Sequence, residues 1–236
     1  MRLINLVPDF LKPALSPIYH IFVHSWINRK IINRPKIRNE LHQYWRQPWD
    51  GSNLPQNYLF GKARSQFLVE ILKRYAKPNA KILEIGCNVG RNLNYLFLAG
   101  FKNLEGIEIS EKAVRFLKES YPEMSSHTKI YNLPVEKIIK EFRNDEFDIV
   151  FTMAVLEHIH TDSEWIFSEI VRITKDFLVT IEDERSISWR HFPRNYEKVF
   201  NPLGMKQCEE INCSGVDGLG SNFFARYFKK NHDIDT

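Results

Sequence analysis

The run LEIGCNVGRNL, residues 83–93, places a carboxylate and two glycines where an apolar strand gives way to a helix. A glycine at such a junction lets the main chain approach a ligand with no Cβ in the way. A dinucleotide pyrophosphate would call for Gly86-x-Gly-x-x-Gly, and here Asn88 and Arg91 occupy the second and third of those positions, which disfavours it. What remains is Glu84-x-Gly86-x-Asn88-x-Gly90, followed by Glu108 at the end of the next apolar run. An acid at that place can accept both hydroxyls of a ribose.

A second set of chemical groups comes later in the chain. His158 and His160 follow FDIVFTM, residues 147–153, and His191 lies in EDERSISWRHFPRNY after FLVTI. In a parallel sheet both segments fall at the carboxyl-end crevice, where an acceptor should sit. A neutral imidazole can take a proton from a hydroxyl as that oxygen is alkylated. His158 or His191 is therefore expected to touch substrate. The three cysteines are too few and too irregularly spaced for a disulfide framework or a four-thiolate zinc site. Cys87 reads as a small packing residue, and Cys208 and Cys213 as strand and loop residues.

These groups need a scaffold, and the remaining sequence supplies an alternation of strands and helices. SQFLVEILKRY, residues 65–75, carries apolar side chains at helical spacing and is ended by Pro78. Strands are predicted at 81–85, 104–109, 128–131, 147–153 and 177–181. Helices are predicted over 92–99, from Ser110 through Lys118, from Thr161 in the capping-box spacing Thr161-x-x-Glu164, and after Asn195. Continuous apolar strands in this alternation mean a parallel sheet covered on both faces. Strands at 205–211 and 223–228 joined by GVDGLGSN complete it as a terminal hairpin. The stretch YWRQPWDGSNLP, residues 44–55, reads as a linker with a turn at Asp50-Gly51.

With these motifs in register, the chain over roughly residues 58–230 resembles the class I S-adenosylmethionine-dependent methyltransferases. The resemblance implies a seven-stranded, doubly wound Rossmann-like sheet and S-adenosylmethionine as methyl donor. It places the donor's methionine half in the loop of Glu84, Gly86, Cys87, Asn88 and Gly90, with Glu108 and Ile109 at the ribose. YNLPVEKI resembles the adenine-contacting stretch, so Val135 would offer its N–H to adenine between Pro134 and Glu136. Met153 and Ala154 would pass the donor methionine, and Arg64 matches an arginine that meets the donor carboxylate in the ubiquinone-biosynthesis O-methyltransferases. The chain departs from the pattern at Asn88, which replaces a glycine but tolerates left-handed backbone. It also departs at Pro134, where many relatives have an Asp that binds the adenine amino group. Small-RNA terminal 2′-O-methyltransferases share the LEH segment, and their E-x-x-E-H pattern supplies metal ligands. Here the first glutamate position is Ala154, leaving Glu157, His158 and His191 with Glu182, Asp183 and Glu184 nearby, so no metal is assigned.

The charge balance separates two regions. Lys plus Arg exceed Asp plus Glu by 33 to 29, a net +4. Residues 1–46 alone carry eight basic and two acidic side chains, so this +6 arm is joined to a −2 remainder. Residues 1–57 are read as an arm and linker, and 58–236 as the donor-binding domain. The arm is apolar and aromatic before its basic NRKIINRPKIR segment. It is expected to form a lid, a dimer contact or, through residues 1–40, a peripheral contact at the inner membrane face. Ile18 to Ile27 is about half the roughly 20 residues of a membrane span, and the chain reads as cytoplasmic. The acceptor expected is a hydroxyl on a small molecule, sugar or lipid-linked glycan. Two rivals are an RNA methyltransferase gripping phosphates with the arm and a non-catalytic donor-binding module; the mild charge of the domain disfavours nucleic acid.

Overall fold

The computed structural model describes residues 36–49, 51 and 53–231. Expectations for the arm over residues 1–35, and for Asp50 in the predicted turn, lie outside the described residues. The described residues form seven strands, β1 (Ile82–Ile85), β2 (Leu104–Ile107), β3 (Lys129–Tyr131), β4 (Phe147–Met153), β5 (Thr174–Asp183), β6 (Met205–Asn212) and β7 (Phe223–Lys230). Their order across the sheet is β3-β2-β1-β4-β5-β7-β6. The first five are parallel, and β7 runs antiparallel to both β5 and β6, which is the expected terminal hairpin.

The α-helices among the described residues are α1 (Arg38–Arg46), α2 (Lys62–Tyr75), α3 (Arg91–Leu98), α4 (Glu111–Ser120), α5 (Pro122–His127), α6 (Val135–Ile138), α7 (Ile166–Ile173) and α8 (Tyr196–Phe200). Strand β1 is buried along its whole length, and its alternating side chains divide between two cores. Ile82 joins Leu68, Leu72, Leu93 and Leu96 under α2 and α3, whereas Leu83 and Ile85 join Val150, Ile166 and Ile170 under α7. Each such side chain contributes about 1.5–3 kcal/mol of burial. Because β1 lies between β2 and β4, the strand order reverses at its carboxyl end and a crevice opens there.

Local signals set several boundaries. Ser110 Oγ accepts from the Ala113 N–H at the start of α4, and Asn195 Oδ1 from the Lys198 N–H at α8, as their positions predict. The helix expected from Thr161 forms with a later start. Thr161–Ser163 make a single 3₁₀ turn and α7 starts at Ile166. His160 Nδ1 accepts from the Asp162 N–H at 3.1 Å, and Glu164, which would have closed the capping box, accepts from Arg194 Nε at 3.0 Å. Residues 44–46, read as linker, are the last turn of α1. Among the described residues no helix is long and apolar enough to cross a membrane.

Candidate active site

A cavity lies at the carboxyl ends of β1, β2 and β4, with α1 across it. Its donor-side wall begins with the turn after β1. Gly86 and Asn88 both have left-handed backbone, at φ 76° and 48°, and a Cβ on Gly86 would overlap the Val155 side chain. This conformation turns the Asn88 N–H onto Glu108 Oε2 at 2.9 Å, while the Ser110 N–H reaches Glu108 Oε1 at 2.6 Å. Burial raises the Glu108 carboxyl to about 7 against the pull of those two N–H groups. Its oxygens retain lone pairs for a diol.

Glu84, on β1, accepts from Asn92 Nδ2 at 2.8 Å through one oxygen. Its other oxygen is buried with no hydrogen-bond partner among the described residues, and burial raises this carboxyl to about 8. Arg64 supplies the complementary orphan. Its side chain passes between Gly61 and Gly218, where any Cβ would press on the guanidinium, and its Nε is buried without a partner among the described residues. An orphan acceptor and an orphan donor in one cavity fit an amino-acid moiety carrying an ammonium and a carboxylate. Each is costly to leave unmade.

The structure brings Arg64, Glu84, Gly86, Cys87, Asn88, Glu108 and Ile109 together on the cavity wall, with Val135, Glu136, Met153 and Ala154 beside them. Gly90 stands apart: it does not line the cavity, and its φ of 71° closes the turn while a Cβ there would overlap Leu117. Cys87 is buried and its thiol is pushed well up by burial, so it offers a neutral surface rather than a nucleophile. Ala154 has left-handed backbone at φ 56°, a conformation that costs a residue with a Cβ about 1 kcal/mol or more. The neighbouring N–H groups of Val155 and Glu157 hold it there by donating to Glu182 Oε2 at 2.8 and 3.3 Å.

The acceptor side is built from segments distant in sequence. His158 lines the cavity, with His191 behind it at a ring separation of 4.7 Å. His158 Nδ1 lies 2.8 Å from the Arg190 carbonyl oxygen, which can only accept, so Nδ1 carries the proton and Nε2 has the lone pair. Burial, reinforced by the proximity of His191, depresses this imidazole to about 3. Glu157 Oε1 faces both rings, 3.4 Å from His158 Nε2 and 3.7 Å from His191 Nε2. Its other oxygen accepts from the Asp183 N–H. Burial and the neighbouring Glu182 raise the Glu157 carboxyl well above the usual range. Glu157, His158 and His191 thus hold three ligand atoms within 4.8 Å of one another.

Helix α1 contributes residues that sequence reasoning left in the linker or arm. Arg38, His42 and Trp45 line the cavity. Trp45 packs on the His158 ring at 4.5 Å, and His42 Nε2 is bonded to Glu136 Oε1 at 3.0 Å. Glu136, expected beside adenine, therefore anchors α1, and Ser163 Oγ donates to the same oxygen at 3.0 Å. Behind the donor wall, Arg91 was read only as a broken glycine pattern. Buried, and lowered to about 10 by desolvation, it donates to Ser65 Oγ and to the carbonyls of Tyr58 and Phe60 at 2.7–2.9 Å, fixing the segment that precedes Arg64. A charged residue in place of the expected third glycine was the available signal.

Residues 83–176 match the family model described as a methyltransferase domain. The chain is 29% identical over 97 residues, 41% of its length, to the eEF1A lysine and N-terminal methyltransferase of Mus musculus, of which it spans 14%. Among solved structures, magnesium protoporphyrin IX methyltransferase from Synechocystis, with bound S-adenosylmethionine, shares the fold at TM-score 0.60 and 15% identity, covering 87% of this chain and 96% of that one. A geranyl diphosphate methyltransferase in complex with its diphosphate and sinefungin shares it at TM-score 0.63 and 10% identity, covering 81% and 97%.

Proposed function

Because the chain carries a class I S-adenosylmethionine-dependent methyltransferase domain, we propose that it transfers a methyl group to a hydroxyl of a small-molecule, sugar or lipid-linked glycan acceptor. The observation that carries this reading is a neutral imidazole of fixed tautomer on the wall of the donor cavity, beneath a helix that covers it. Bound S-adenosylmethionine supplies an electrophilic methyl on a sulfonium. The chain's own work is to align and to accept a proton. Arg64 and Glu84 hold the methionine carboxylate and ammonium, Glu108 holds the ribose hydroxyls, and the Val135 N–H meets adenine. Met153 and Ala154 flank the methionine. His158 Nε2, kept unprotonated by burial, accepts the hydrogen bond of the acceptor hydroxyl and orients its oxygen, and as that oxygen is alkylated its now acidic proton passes through Nε2 to water.

The test is transfer of label from S-adenosylmethionine carrying a tritiated methyl group to glycan, lipid, RNA and protein fractions. Label in an alkali-stable methyl ether on a glycan, lipid or small molecule is expected. Label confined to RNA or protein would overturn the acceptor class, and a lack of donor binding in calorimetry would overturn the enzyme. A second reading is favoured by the three convergent ligand atoms of Glu157, His158 and His191. In it Glu157, His158 and His191 would hold a divalent cation that would supply Lewis-acid polarisation of the acceptor hydroxyl, with the Arg190 carbonyl fixing the His158 ring as metal-bound imidazoles require. Activity lost to a chelator and restored by Mg²⁺ or Mn²⁺ selects this reading; activity indifferent to chelator selects the proton.

A further inference from the structure

Seven large apolar side chains are exposed among the described residues, and five of them belong to segments that wall or border the cavity. Leu133 lines it directly, Ile37 precedes Arg38, Trp49 follows Pro48, and Phe60 lies between Tyr58 and Arg64. Ile187 belongs to the segment whose Trp189 carbonyl accepts from the Lys36 N–H at 3.2 Å. Trp189 also stacks on Trp49 at 6.0 Å, and both rings pack edge-on against Tyr44 at 4.7–4.8 Å. The exposures are large: 58% at Ile37, 62% at Trp49, 75% at Phe60 and 84% at Ile187. Exposed large apolar groups concentrated in the segments that wall or border one cavity mark an interaction site.

The charge around it identifies the partner. Residues 36–64 and 185–191 hold seven Lys or Arg against two Asp or Glu, and Arg46, Lys62 and Arg185 are exposed among the apolar side chains. The chain also enters this face at Lys36, directly after 35 residues with five basic side chains, one acidic, and a predominance of apolar and aromatic types in residues 3–27. Apolar anchors interleaved with cations match an anionic bilayer, where side chains such as Trp and Ile enter the headgroup boundary and Lys or Arg meets lipid phosphate.

We propose that the rim formed by Ile37, Trp49, Phe60 and Ile187 docks on an anionic lipid surface, with the cavity opening toward the headgroups. This deepens the reading above, on which it rests for the cavity's role, by making the acceptor a molecule presented at a membrane. Sedimentation of the full chain with vesicles tests it, using phosphatidylcholine alone against phosphatidylcholine containing phosphatidylglycerol. Binding to the anionic vesicles only, weakened by salt, is expected. The double variant Ile37→Ser, Ile187→Ser should lower the partition coefficient at least about tenfold, while donor affinity in calorimetry stays at the wild-type value. Both side chains are mostly exposed, so the variant keeps its fold. Wild type that stays in the supernatant overturns the proposal, as does a variant that pellets equally, because the arm alone would then bind. A soluble dimer that the same substitutions dissociate makes the rim a contact between copies and also overturns it. Loss of donor binding with vesicle binding intact would sink the enzymatic reading and leave the docking surface standing.

Discussion

The proposed donor and acceptor sides of one cavity differ in how their buried polar groups are arranged. On the donor side, buried polar atoms are left without partners: Glu84 Oε2 and Arg64 Nε wait for a ligand. On the acceptor side the buried Trp45 Nε1 is also without a partner among the described residues, but the titratable groups sit close together, with His158 bonded to the Arg190 carbonyl and Glu157 facing two imidazoles. An unmet bond inside a protein gives a ligand affinity, because binding removes a desolvation cost already incurred. A close cluster of a carboxyl and two imidazoles instead holds geometry and can move charge. On the proposed reading, affinity belongs to one wall and reactivity to the other.

The largest effect that could break this division is on rate. His158→Ala should lower the turnover of methyl transfer roughly 10²–10⁴-fold, leaving the donor Kd within about twofold. A comparable loss of donor affinity would erase the boundary between the walls. Next is Glu108→Ala, which removes charge-assisted hydrogen bonds to the ribose worth about 1.5–3 kcal/mol and should raise the donor Kd about 10- to 150-fold in calorimetry. A change under twofold would remove Glu108 from the site.

A smaller effect appears in pH dependence. Glu108 and Glu84 have folded pKa values raised to about 7 and about 8, above the ordinary 4.5. A raised carboxyl stabilises the fold fully below its unfolded pKa and loses that contribution as pH rises through the folded value. The ligand-free protein should therefore lose thermal stability between pH 5 and pH 8, by a few degrees in Tm. Saturating S-adenosylhomocysteine should raise Tm more at pH 8 than at pH 6, since its ammonium and diol favour the ionised carboxylates. A ligand-free Tm that climbs with pH would contradict the strain assigned to the donor wall. The smallest effect is at Asn88→Gly, where the left-handed backbone is kept and the N–H to Glu108 survives. Stability should change by about 1 kcal/mol or less, and the donor Kd by less than twofold.

The two walls were unequally legible in the sequence. The donor turn is contiguous, and its strand, glycine and ribose acid each obey a local rule, so the expected residues converge with Gly90 alone diverted to packing against Leu117. The acceptor wall is joined only by tertiary structure. Nothing local in residues 156–158 or 188–191 announces that the Arg190 carbonyl will set the His158 tautomer. Helix α1 was hidden for a different reason. It begins at Ile37 without a polar side-chain cap, and its buried Leu41 and Tyr44 give one short apolar stripe before YWRQPW breaks the pattern. Helix α5 had a usable signal in Pro122 at its first position. The capping box at Thr161 is not closed, and Glu164 instead accepts from Arg194, thirty positions away.

Glu182 has a consequence for altering the proposed acceptor wall. Through one oxygen it holds the Val155 and Glu157 N–H groups, so the loop after β4 takes its shape from the neighbouring strand and not from its own sequence. Residues 185–190 lie beyond that hold, and they touch the site through the Arg190 carbonyl and Trp189 packing. A library that varies 185–190 and preserves position 182 can reshape the acceptor wall while the donor wall stays intact. The same library with position 182 varied would scatter both.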